Sequence, residues 1–272
     1  MEGKVTKTVY LSLAIIVCAF MLFPLYWTIV SSLKNNTQLF AFPQTFFPPT
    51  PQWNVYSQAF GSQWPHLVVS LVVSLGTVVL SLLISLPAAY ALAQFKLKIT
   101  VVFVLILLIV QMIPSISLAN ALFLIFHNLH LLNSYQGLIL ADSTYAVPFD
   151  VLILRAFIES IPRELIEAGF VDGAGNWLAL IRIVTPISKS AIITAALFSF
   201  LFAWGDFLYA LTVTTTNSIQ PITLSIYQYI GSHSTEWNSL MATAVLASIP
   251  AGLLLIFTQR YINAGISTSG IK

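Results

Sequence analysis

The sequence predicts an all-α polytopic membrane protein with six transmembrane helices and both termini in the cytoplasm. Three observations lead there. Of the 272 residues, 58% are hydrophobic and only 7% are charged, too few charges to keep a soluble domain of this size dispersed. Six apolar runs each approach or exceed the ~20 residues that a helix needs to cross a hydrocarbon core about 30 Å thick. On that six-span count, ten of the eleven Lys and Arg residues fall on one side, which the positive-inside rule assigns to the cytoplasm.

The spans follow in order, as one domain over residues 1–272. The first, Val9–Ser31, is too long for a signal core, carries Pro24 and lacks an A-x-A cleavage site, so it reads as a retained span. A Pro-rich loop (Pro43, Pro48, Pro49, Pro51, Pro65) leads to the second, Leu67–Ala93. Its small residues Ser70, Ser74, Gly76, Ser81 and Ser85 suit close helix packing. A tight basic turn, "QFKLK", precedes the third span, Thr100–Phe126, and the link "HNLHLLN" precedes the fourth, Gln136–Phe157. Asp142, Pro148 and Asp150 interrupt that fourth run. It is kept because a five-span count would put the two largest basic groups on opposite sides. A charged loop, residues 158–186, joins it to the fifth span, Ile187–Val213. A polar loop, Thr214–Ser239, then leads to the sixth, Leu240–Ile262.

This arrangement gathers Lys4, Lys7, Lys96, Lys98, Arg155, Arg163, Arg182, Lys189, Arg260 and Lys272 inside and leaves only Lys34 outside. Trp27, Trp53, Trp64, Tyr135 and Trp237 collect near the outer boundaries, where interfacial rings belong. A net charge of +2 without a basic stripe gives no reason to expect nucleic acid. The single cysteine, Cys18, excludes an intrachain disulfide. His127 and His130 could reach one metal at their spacing, but no carboxylate or thiol accompanies them, so interfacial polar residues are the better reading and no metal site is expected. No catalytic group is expected either. Glu164 and Glu167 lack an enclosed pocket for acid–base work, and the G-x-x-x-x-G-K-[ST] phosphate loop is missing.

The loop 158–186 is the anomaly. The window from Arg155 to Lys189 holds eight of the chain's twenty charges. The local signals predict two short helices and a turn. Ser160 can cap the first, with Pro162 harmless in its first turn. Glu164 and Glu167 sit near its positive dipole end, and Gly173 stops it in a left-handed conformation. Asn176 can cap a second helix from Trp177, and Pro186 ends it. On the first helix Glu164, Glu167, Ala168, Val171 and Asp172 share one side, while Leu165, Ile166, Gly169 and Phe170 share the other. Small residues let another surface approach. An anchored amphipathic helix suits a groove on a partner protein. The alternative is a helix lying on the membrane, though three carboxylates fit anionic lipid poorly.

"EAGFVDGAGNWLALIRIVTP" resembles the EAA loop of permease subunits in binding-protein-dependent ABC importers. The matching residues are Glu167, Ala168 and Gly169, then Asp172, Gly173 and Ala174, then Ile183 and Pro186, with Gly169 in place of the usual second alanine. "FPLYWTIVSSLK", "AAYALAQFKLK", "MIPSISLANALFLIFHNLHLLNSYQGLIL", "FIESIPRELIEAG", "FAWGDFLYALT" and "QRYINAGISTSGIK" are similar to the MalG-like subunits of the carbohydrate-uptake branch. The resemblance implies one half of a heterodimeric pore, paired with a MalF-like permease and driven by two ATPase subunits. An extracellular binding protein would deliver a sugar or oligosaccharide across a bacterial or archaeal plasma membrane. Glu164, Glu167, Ala168, Gly169, Phe170, Asp172, Gly173 and Ala174 would couple to an ATPase. ATP and Mg would sit on those partners, with no cofactor on this chain. The C-terminal residues 265–272 would reach toward the ATPases.

Asp150 and Asp206 fall within spans, where a carboxylate costs at least a few kcal/mol unless paired or hydrated. Asp206, near Trp204 and Tyr209, could accept sugar hydroxyls while a ring stacks on the sugar face, or it could bond across a subunit interface. Asp150 could face the aqueous path or pair with the second permease. With Asp206 it could also relay protons in a self-sufficient carrier. An importer of the same architecture for a non-sugar solute, and a tether that only recruits a protein, complete the alternatives.

Overall fold

The computed structural model describes residues 2–95, 99–232 and 236–269. Lys96, Lys98 and Lys272, and with Lys272 the end of the C-terminal tail, lie outside the described residues. Every regular element among the described residues is helical: α1 (Glu2–Ser32), α2 (Asn36–Leu39), α3 (Asn54–Gln94), α4 (Thr100–Met112), α5 (Ser115–Asn128), α6 (Tyr135–Glu159), α7 (Arg163–Val171), α8 (Asn176–Ala179), a π-helical turn (Leu180–Val184), α9 (Thr185–Ile187), α10 (Lys189–Gly205), α11 (Leu208–Val213), α12 (Ile222–Ser232) and α13 (Trp237–Ser269). Four helices are long and apolar enough to cross a bilayer, and two bent pairs raise the number to six if each is one span.

The bent pairs correct the sequence reading. The third run is not one straight helix: α4 and α5 meet at 96° across Ile113 and Pro114. Pro114 removes a backbone donor and biases Ile113 away from helical dihedrals, and Ile113 is extended at ψ 126°. The 13 residues of α4 reach only about 20 Å. The fifth run breaks too. Its main helix, α10, has 17 residues, about 25 Å, and α11 resumes only after the extended residue Asp206.

The chain forms two compact units, one from the residues up to Pro65 with Ser225–Ile249, the other from His66–Leu224 with the residues from Pro250 onward. In the first, α1 from Val9 to Phe23 is exposed around its circumference, as expected of a helix whose solvent is lipid. At its end the loop folds back. Tyr26 Oη donates to the Phe46 carbonyl at 2.6 Å, and the Trp27 and Phe46 rings meet edge to face at 6.0 Å. Lys34 is fully buried here. Its ammonium donates to the Thr45 carbonyl at 2.5 Å and lies 4.8 Å from the Trp27 ring centre. Asn35 and Gln38 form a reciprocal capping box on α2.

In the second unit α6 is the pillar, with more than half of its most apolar window buried. The run that looked weakest is thus the one most enclosed by its own chain. α10 packs along it, and α4 and α11 also touch it. Gly76 on α3 permits close approach, because a Cβ there would come within 2.4 Å of Ile139 Cδ1. Ser70, Ser74, Ser81 and Ser85 are all buried. Two apolar clusters fill this unit. One gathers Tyr90, Leu154, Ile158, Ile166, Leu180 and Val184. The other gathers Val69, Val73, Phe126, Leu138, Tyr209 and Leu224.

Candidate functional site

The charged loop folds as a two-armed elbow. Its caps differ from those the sequence suggested. Pro162, not Ser160, holds the N-cap position of α7, while Ser160 Oγ donates back to Phe157 at 2.7 Å and finishes α6. Gly173 takes φ +85°, the left-handed turn expected of it. Gly175, not Asn176, is the N-cap of the second arm. Pro186 does not end that arm. As an early residue of α9 it needs no N–H donor, and the arm continues to Ile187 before an 83° bend at Ser188 into α10.

The first arm is anchored by only part of its apolar side. Ile166 and Gly169 are buried, and Gly169 lies so close to the second arm that a Cβ would meet Ile183 Cδ1 at 2.3 Å. From the second arm, Ala179, Leu180 and Val184 enter the same core as Ile166. Leu165 and Phe170, on the apolar side by spacing, stay 49% and 42% exposed. Val171 and Trp177 are 88% and 68% exposed. Glu164, Glu167, Ala168, Asp172 and Gly173 are exposed beside them, and Ala174 is half-buried. A cleft of about 190 Å³ separates the arm's Arg163, Glu167 and Phe170 from Tyr90, Gln94 and Phe95 at the end of α3. The elbow is a rigid base presenting an open surface that mixes carboxylates and apolar side chains.

A second feature forms where α10 breaks. Asp206 Oδ1 and Oδ2 accept the backbone N–H groups of Tyr209 at 3.2 Å and Ala210 at 2.9 Å, supplying acceptors for the first turn of α11. Thr223 Oγ1 donates to the Asp206 carbonyl. The break opens a cavity of about 370 Å³ lined by Ser115 of α5, Asp142 and Tyr145 of α6, Phe202 and Gly205 of α10, and the stretch from Asp206 to Tyr209. Trp204 does not line it but stacks on Phe200 at 5.5 Å. Asp150 lies elsewhere on α6, fully buried. Its Oδ2 accepts from Ser199 at 2.7 Å, and Ser199 accepts from Ser81 at 3.3 Å, joining three helices through hydroxyls. The structure thus brings Asp206 and Tyr209 together, and sets Asp150 and Trp204 apart from them. His127 and His130 are exposed, with no group of three metal-binding side chains among the described residues.

The family model for the inner membrane component of binding-protein-dependent transport systems matches residues 81–268. The chain belongs to this family. It is a permease subunit of a multi-pass membrane transporter. Among similar proteins, the sulfoquinovosyl glycerol transport system permease SmoH of Agrobacterium fabrum is 34% identical over 92% of this chain and 89% of its own. The trehalose transport system permease SugB of Mycobacterium tuberculosis is 30% identical over 99% of both chains. The trehalose/maltose permease MalG of Thermococcus litoralis is 28% identical over 100% of this chain and 99% of its own. In fold, the permease resembles a chain of a bacterial ABC transporter that imports the acidic polysaccharide alginate, with TM-score 0.81 at 20% identity, covering 96% of this chain and 98% of that one.

One residue escaped the sequence reading. Asp142 entered it only as an interruption of the fourth run, yet it is 5% exposed and lines the cavity with Asp206. The signal was present, since an ionisable residue inside a span is a functional candidate by default.

Proposed function

We propose that this permease is the MalG-like half of an ATP-driven importer for a sugar or oligosaccharide. It works with a MalF-like second permease, two ATPase subunits and an extracellular binding protein, in a bacterial or archaeal plasma membrane. With six spans and both termini inside, α4 with α5 making the third span and α10 with α11 the fifth, the elbow lies in the cytoplasm. ATP and Mg bind on the ATPases, and this chain contributes motion. The observation that carries the reading is the elbow. Phe170, Val171 and Trp177 are apolar and open beside Glu164, Glu167 and Asp172, on a base packed into the core of its own chain. Such a surface fits a groove on another protein, and closure of the ATPase dimer then moves the elbow as one lever into α10. Asp206 and Tyr209 at the cavity are the substrate-path residues, with Trp204 and Asp150 supporting them from the packed interior.

The test is site-directed cross-linking. A cysteine at Phe170 in the assembled importer should couple to an ATPase subunit, at a yield that changes when ATP binds. Reaction with lipid alone, in a complex that imports normally, would remove the lever. Uptake should require ATP and the binding protein and should resist uncouplers, which separates it from a proton-driven carrier.

A further inference from the structure

The cavity at the α10–α11 break carries a charge pattern that the sugar-import reading does not by itself specify. Asp142 lies seven residues, about two turns, after the first residue of α6. It is 5% exposed, and its carboxylate accepts no hydrogen bond from any described residue. What remains accessible of it opens into the cavity. Asp206 faces the same space with both oxygens already holding backbone N–H groups. Each oxygen keeps a second lone pair. Ser115 adds a hydroxyl, and Tyr145, Phe202, Phe207 and Tyr209 add rings. No Lys, Arg or His lines the cavity.

These parts have a consistent chemistry. Two carboxyl groups can accept from hydroxyls, and aromatic faces receive the C–H side of a sugar ring. A volume of about 370 Å³ falls within the roughly 300–1,000 Å³ of ordinary small-molecule sites. A carboxylate or sulfonate would instead bring a further acid against two carboxyl groups, with no Lys, Arg or His on the wall to balance its charge. A cargo such as an acidic polysaccharide is poorly suited to this wall. The geometry points to a subsite that takes an uncharged, hydroxyl-rich sugar ring and disfavours anionic sugars, with Asp142 as the residue that sets the preference. The inference rests on the sugar-import reading and adds the charge class of the cargo.

The experiment uses the complete importer in proteoliposomes with ATP inside and the binding protein outside. Labelled trehalose, maltose and arabinobiose serve as uncharged probes, and an alginate disaccharide as the anionic one. Uptake and binding-protein-stimulated ATP hydrolysis are read together. Wild type should import at least one uncharged probe. Asp142→Asn should lower that uptake about ten- to a hundredfold, the range for a lost hydrogen bond to a charged group, while stimulated hydrolysis persists. The ratio of anionic to uncharged uptake should rise in the same variant, a comparison in which delivery by the binding protein cancels. Asp142→Glu should keep most of the uptake. An unchanged ratio in Asp142→Asn, or equal losses in the Asn and Glu variants, would assign Asp142 to packing and overturn the subsite. A wild type that hydrolyses ATP but imports none of the sugars would overturn the sugar reading, and the subsite with it.

Discussion

The elbow and the cavity, both within one compact unit, treat their acids in opposite ways. Glu164, Glu167 and Asp172 of the elbow are exposed, their carboxylates open to solvent. At the cavity, Asp206 is held by the backbone it caps, and Asp142 is buried. Two glycines of the same unit also differ. Gly169 of the elbow faces the tip of a movable side chain, whereas Gly137 at the start of α6 faces backbone, with a Cβ there falling 2.2 Å from the Leu131 carbonyl oxygen. A surface meant for a partner can keep its side chains unsatisfied until the partner arrives. At the cavity only Asp206 is fixed in advance by its own chain, and burial of Asp142 without such a partner costs stability.

Substitutions at five positions sharpen or break this contrast. The largest effect belongs to the elbow: Glu167→Lys, or Gly173→Asp at φ +85°, should abolish uptake while the chain still inserts and extracts normally, as membrane blots and transport assays would show. Normal transport in both would end the coupling role. Next, Gly137→Ala should destabilise the extracted complex by about 1–3 kcal/mol, since the backbone must shift to relieve overpacking, visible as a lower melting temperature. Asp206→Ala should cost about 1 kcal/mol through loss of the α11 cap, with Asp206→Asn retaining most of it. The smallest change is expected from Gly169→Ala. Ile183 Cδ1 can swing aside, and the helix gains about 0.8–1 kcal/mol of propensity, so stability should hardly move. A loss as large as that of Gly137→Ala would mean that the elbow is packed as rigidly as the start of α6.

The sequence made some of this legible and hid the rest, for identifiable reasons. Hydropathy found every long helix because a span needs only length and apolarity, and the elbow stood out because charge is rare in this chain. Windowed hydropathy is blind to direction, however, so the 96° bend at Pro114 and the break at Asp206 were absorbed into straight spans. Pro114 carried a local signal that the window average outweighed. Capping rules named Ser160 and Asn176, whose side chains were the right type. The structure used Pro162 and Gly175 instead, because the backbone had already turned into the arm's direction at those residues. Asp206 was read as a ligand or interface group, since nothing local showed that a helix would restart two residues later and claim its carboxylate. Asp142 was overlooked for the same reason: its cavity is assembled from four helices, and only their packing reveals it.

Lys34 bears on how the orientation of this molecule can be measured. It is the one basic residue that the six-span arrangement leaves outside, and its amine is enclosed against Thr45 and Trp27. Impermeant amine-reactive labels applied to intact cells should therefore find little to modify on that face. Faint labelling there would be the mark of a sheltered nitrogen, and mapping the two sides calls for engineered thiols in the loops instead.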